Sequence, residues 1–207
     1  MELRFGQNAA GLVVGGRELR AAVCDENEVR AAAGVTLAIA AVAFSYAYFD
    51  RQYLPLQVAS SFFLVEFVLR TTLGIRYSPV GVVARRLTRG QAPDWVSAKP
   101  KRFAWTIGVA MAFAMTIITN AGIRGTLPRT LCLTCLTLMW MESALGLCLG
   151  CKIYAWLVRH GYKGRDPEIE VCAGGVCALP TPAAARDPTR RSCDGPKSRS
   201  ALASTAT

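Results

Sequence analysis

Three close pairs of cysteines carry most of the chemistry this sequence offers: Cys132 with Cys135, Cys148 with Cys151, and Cys172 with Cys177. Two thiols at CxxC spacing support dithiol–disulfide exchange, or serve as half of a thiolate metal site. Cys132–Cys135 and Cys148–Cys151 together would suggest a four-thiolate zinc site in a soluble protein. Here an apolar run from about Thr130 to Leu157 reads as one continuous helix, which sets Cys132 and Cys148 about 24 Å apart along its axis. That separation prevents them from sharing an ion. Cys148, Cys151, Cys172 and Cys177 form a second set, spaced C-x2-C-x20-C-x4-C, close to that of zinc ribbons. The Ala-Gly-Gly stretch after Cys172 suits a tight turn. Zinc or iron on these four thiolates is the alternative to an independent Cys148–Cys151 thiol pair, which requires no cofactor.

The surroundings of Cys148 and Cys151 differ from those of the outer pair. Gly146 and Gly150 form a GxxxG arrangement that lets a neighbouring helix approach closely, and Lys152 follows Cys151 directly. On a continuous helix this pair lies near the C-terminal end, where the helix dipole opposes thiolate formation while the ammonium favours it. Two carboxylates also fall within apolar runs. Glu66 stands one turn before Arg70 and is expected to snorkel with it to the membrane face. Glu142 lies near the middle of its run, where an acid costs roughly 2.5–3.5 kcal/mol, and is expected to be neutral and to hydrogen-bond between helices.

Other chemistries lack their residues. His160 is the only histidine, which excludes bis-histidine haem and histidine-rich zinc catalysis. There is no GxxxxGK[ST], GxGxxG or GxSxG element. A net charge of +10 invites a nucleic-acid reading, but no basic-aromatic platform or helix-turn-helix pattern accompanies it. No nucleic-acid partner is expected.

The elements that position these residues follow from hydropathy. In 207 residues the apolar fraction is 52%, charged residues are 18%, and mean hydropathy is +0.29. Uncharged runs alternate with basic ones, as in a membrane protein. Four spans are expected: Ala31–Phe49, Tyr53–Leu69, Phe103–Ala121 and Thr130–Leu157. The short apolar run Gly11–Gly16 is too weak for a signal-peptide core. Of the 24 lysines and arginines, 21 fall in the N-terminal segment, the second connection and the tail, against 3 in the other two connections. The asymmetry places both termini in the cytoplasm and suits anionic lipid headgroups. In the second connection a short helix is expected from Pro79, with Val82, Val83 and Leu87 opposite Arg85, Arg86 and Arg89, lying in the headgroup plane. Past Asp166 the composition becomes rich in Pro, Ala, Arg, Ser and Thr, the signature of a disordered tail.

Three separated motifs carry a family resemblance: Phe67-Val-Leu-Arg-Thr-Thr-Leu-Gly-Ile-Arg76 with Ser78-Pro79; Lys101-Arg-Phe-Ala104 with Ile107-Gly108; and Gly146-Leu-Cys-Leu-Gly-Cys-Lys-Ile-Tyr154. Over Asp25 to Trp156 the chain resembles a bacterial four-span integral membrane family catalogued as domain of unknown function 4395. The resemblance implies a four-helix membrane core and maps a Gly-x-Cys-x-Gly-Cys motif onto Gly146, Cys148, Gly150 and Cys151. Association of such proteins with thioredoxin-like and rhodanese-like partners points to thiol or sulfur chemistry. The expected architecture is therefore an all-α protein of the bacterial inner membrane: a cytoplasmic segment over 1–30, a four-helix transmembrane core over 31–157 and a cytoplasmic, cysteine-containing tail over 158–207. Its expected role is that of a thiol-redox or sulfur-handling accessory protein working through Cys148 and Cys151. The alternative is a non-enzymatic module whose cysteines hold a structural metal or only pack.

Overall fold

A computed structural model describes residues 22–162, together with the backbone of two short strands, β1 (Val13–Val14) and β2 (Arg17–Glu18), which pair antiparallel. The tail pair Cys172 and Cys177, and the expected disorder around it, lie outside the described residues.

The first long helix starts earlier than its uncharged run. Strand β3 (Val23–Asp25) leads straight into α1 (Glu26–Phe49), and β4 (Trp95–Ser97) into α4 (Ala98–Asn120). These strands pair antiparallel, with Cys24 opposite Val96. Asp25 caps α1 by accepting the Asn27 N–H at 3.0 Å, and the same oxygen accepts the Asp94 N–H at 3.1 Å. The Glu26 N–H donates to the Asp94 carbonyl at 2.7 Å. This clamp brings the first turns of α1 and α4 side by side, across seventy residues of sequence. Hydropathy alone does not reveal it, because both strands are only three residues long.

Helix α2 (Leu54–Thr72) carries Pro55 in its first turn and runs along α4, while α1 packs against α5 (Thr126–Leu145). Thr36, Ala43, Ala47, Ala59, Ser60 and Ala112 are buried, whereas Val42, Phe49, Val58, Val65, Phe113 and Trp140 are exposed. Small residues inside and large apolar ones outside suit helices that pack in lipid. Three helices, α1, α2 and α4, are long and apolar enough to cross a membrane, and a fourth span results if α5 is joined to the helix after it.

That fourth run is not one continuous helix. It breaks at residues 146–148, and α6 (Leu149–Arg159) leaves α5 at 88°. Gly146 ends α5 in the left-handed conformation (φ 65°, ψ 18°), which a β-carbon disfavours. Arg30 reinforces the break, its guanidinium donating to the terminal carbonyls of Ser143 (3.2 Å) and Ala144 (3.3 Å). Gly150, by contrast, lies against α4, where an added Cβ would come 2.6 Å from that of Ala104. The two glycines of GxxxG thus do different work: one turns the chain, the other admits a neighbour.

The expected helix from Pro79 is α3 (Pro79–Leu87), capped by Ser78, whose Oγ accepts the Gly81 N–H at 3.0 Å. Val80, Gly81 and Ala84 are its buried residues; Val82, Val83 and Leu87 face outward. Glu66 and Arg70 do form an ion pair, at 2.8 Å, but with relative exposures of 0% and 2% they are sealed inside rather than snorkelled to a surface. A 3₁₀ turn (Ile75–Tyr77) folds α3 back over them, so Glu66 also accepts the Val80 N–H at 3.3 Å, and Arg70 donates to Thr36 Oγ1 at 3.3 Å.

Candidate functional site

The chain break sets the geometry of the inner cysteine pair. Cys148 is the N-cap of α6, and its Sγ accepts the Cys151 N–H at 3.3 Å. The pair therefore begins a helix instead of ending one, and the dipole argument from sequence changes sign: a helix N-terminus favours negative charge. Residues three apart on a helix have Cα atoms about 5 Å apart, inside the Cα range a disulfide spans. Both side chains are buried, and Cys148 lines a partly open cavity of about 170 Å³.

Glu142 is in the last turn of α5, not in the middle of a continuous helix, because α5 stops at Leu145. Its Oε1 meets the Lys101 ammonium at 2.7 Å, and the same ammonium meets Glu26 at 2.8 Å. The neutral acid expected from sequence is thus replaced by one member of a carboxylate–ammonium–carboxylate cluster. Lys101 is 3% exposed. The β3–β4 clamp places it, since it brings the first turns of α1 (Glu26) and α4 (Lys101) together. Cys148 and Cys151 lie close enough to interact electrostatically with Lys101. Thus a cation, two acids and two thiols from α1, α4, α5 and α6 gather at one end of the bundle.

Glu26 has no part in the sequence reading, and Lys101 enters it as a connection charge and as the first residue of a family motif, without a role at the site. A signal was present: an acid inside an apolar run needs a buried cation, and Lys101 stands at the head of a long apolar helix.

The outer pair is placed differently. Cys132 and Cys135 sit mid-helix on α5 and line the same cavity as Glu142 and Cys148. Cys24 is buried in β3, where burial pushes its thiol up to about 12 although the nearby Lys101 opposes the shift. Among the described residues, no three His, Cys, Asp or Glu side chains are grouped to hold a metal. Cys148 and Cys151 supply two ligands at most, and the other two expected ligands are outside the described residues.

A bundle of long apolar helices, with a buried charge cluster and a helix-capping dithiol at one end, is the class of protein that this fold defines. The chain belongs to the family described as Domain of unknown function (DUF4395), which it matches over residues 24–159. The match takes in all five residues of the cluster. No curated protein matches the chain, and no solved structure does.

Proposed function

We propose that this is an integral protein of the bacterial inner membrane whose Cys148–Cys151 pair performs thiol–disulfide or sulfur-transfer chemistry at the cytoplasmic face. In this reading α1, α2 and α4 cross the bilayer, α5 with the bent α6 makes the fourth crossing, both termini are cytoplasmic, and α3 lies along the inner surface. A soluble thioredoxin-like or rhodanese-like protein is the natural exchange partner. The observation that carries the reading is the position of Cys148: its sulfur receives a backbone N–H at the start of α6, beside a buried ammonium. A helix N-terminus and a nearby ammonium are settings in which reactive cysteines occur, while the contact with Cys148 and burial push the Cys151 thiol up, as suits the resolving partner and not the attacking one. Cys148 reaches the cavity and acts as the attacking thiol; Cys151 resolves the mixed disulfide.

The test is a redox titration of the full chain in membranes, followed by mass spectrometry of alkylated peptides. A Cys148–Cys151 disulfide is expected to form at a potential between roughly −320 and −180 mV, the span of cellular thiol couples. Cys151→Ser is expected to trap a mixed disulfide on Cys148. Two thiols that stay reduced throughout, with no trapped adduct, would show that they only pack.

A further inference from the structure

The cavity of about 170 Å³ beside Cys148 is not used by the exchange reaction just described. Its walls come from α1, α2, α4, α5 and α6 and are mostly apolar, among them Trp105 and Ala112. Polar groups are few: Thr36, Ser60 and Arg70 come from α1 and α2, and Glu142 and Cys148 from the α5–α6 end, with Cys135 farther along α5. An apolar cavity of roughly 150 Å³ holds one benzene ring, so this one admits a single substituted six-membered ring. Apolar walls among long apolar helices select a molecule that partitions from lipid over a hydrated ion or peptide. The Arg70 guanidinium and the Cys148 thiol are donors for oxygens on such a ring, and the sulfur at the wall makes an electron acceptor the useful choice.

We infer that the cavity binds the ring of a lipid-soluble quinone, which takes electrons from the Cys148–Cys151 dithiol. The inference rests on the thiol reading above and supplies its oxidant. Cys148 Sγ adds to a ring carbon and forms a C–S bond. Cys151 Sγ then attacks Cys148 Sγ, the S–S bond forms, and the C–S bond breaks with its electron pair passing to the ring. The two thiol protons end on the two ring oxygens. One dithiol is oxidised to a disulfide and one quinone is reduced to a quinol, with two electrons and two protons transferred. Glu142, near Cys151 and ion-paired to Lys101, is the positioning carboxylate through which the Cys151 proton leaves.

The experiment uses the reduced full-length protein in lipid nanodiscs with a short-chain ubiquinone analogue. Binding is read from quenching of tryptophan fluorescence, to which Trp105 in the cavity wall contributes, and reaction from quinol formation and thiol loss. Saturable quenching and one quinol per disulfide are expected. A Cys148→Ser/Cys151→Ser variant should keep the quenching and make no quinol. Ala112→Phe and, from another wall, Ala40→Phe fill the cavity, and whichever keeps the native helical content should weaken binding at least tenfold. Quenching that does not saturate, or is unchanged in a folded cavity-filling variant, would overturn the inference. If glutathione disulfide oxidises the dithiol while the quinone does not, the inference falls and the thiol function stands. If neither oxidises it, both fall.

Discussion

Lys101 and Glu142 are forty-one positions apart in the chain and 2.7 Å apart in the fold. Their contact joins the first turn of α4 to the last turn of α5, and Glu26 extends it to α1. The ammonium is the shared counter-charge for both carboxylates, so removing it costs more than one ion pair. Lys101→Met is expected to destabilise the protein by on the order of 3–5 kcal/mol, the cost of leaving buried charge uncompensated. Glu142→Gln, which leaves Glu26 in place, should cost less. The Lys101→Met/Glu142→Gln double variant should recover part of the loss. Unfolding in mixed detergent micelles measures all three, and a loss below about 1 kcal/mol for Lys101→Met would contradict the buried cluster.

The break between α5 and α6 makes separate predictions for its two glycines. Gly146→Ala forces a β-carbon into the left-handed region, at about 1–2 kcal/mol. Gly150→Ala drives a methyl into Ala104, for an overpacking cost of about 1–3 kcal/mol. Because Ala104 Cα itself would lie 2.7 Å from the added methyl, Ala104→Gly should restore only part of the second loss, and none of the first. If the compensating change rescues neither variant, α6 does not pack on α4 in this way.

The long apolar helices were legible from hydropathy, and the helix from Pro79 from its proline and the apolar and basic residues after it. The break at Gly146 was not, because the residues on either side are apolar and the periodicity runs on through it. Gly146 read equally well as a packing glycine; only the Arg30 contact with the carbonyls of Ser143 and Ala144, more than a hundred residues away in sequence, separates the two roles. Misplacing the helix end moved Glu142 to mid-membrane and reversed the dipole at Cys148. The site's residue types were therefore visible, while its electrostatics depended on one turn.

Glu66 and Arg70 test burial against snorkelling. A surface i,i+4 pair contributes well under about 1 kcal/mol, whereas a sealed pair that loses one partner costs about 3–5 kcal/mol. Arg70→Met is expected to fall in the second range, since Glu66 would keep only the Val80 N–H. A Glu66→Gln/Arg70→Met variant should be more stable than Arg70→Met alone. Thermal unfolding of the pair of variants decides between the two settings.

Cys24 gives a pH prediction. Its thiol ionises near 9.0 when unfolded and near 12 when folded, chiefly because of burial. The unfolded state therefore releases its proton first. This contribution to stability is complete below about pH 9 and is lost progressively as pH rises from 9 toward 12. Cys24→Ala should flatten that decline. At pH 8 a maleimide is expected to leave Cys24 unmodified in the folded protein and to label it after unfolding; rapid labelling of the native state would contradict the burial.

Orientation decides which compartment the thiols face. Glu26, Lys101, Glu142, Cys148 and Cys151 share the end of the bundle that also carries Arg76, Arg85, Arg86 and Arg89, whereas Arg51, Arg124 and Arg129 lie at the other. Basic residues are retained in the cytoplasm, so the cluster is expected to face inward, in the reducing compartment that keeps a dithiol available. Gln52 and Gln91 are exposed at opposite ends. In intact cells a membrane-impermeant maleimide should label a Gln52→Cys variant and spare Gln91→Cys, which should react only once the membrane is opened. The reverse pattern would place Cys148 and Cys151 on the outer side, where a soluble oxidising partner would replace the cytoplasmic one, and the proposed exchange with thioredoxin-like proteins of the cytoplasm would fall with it.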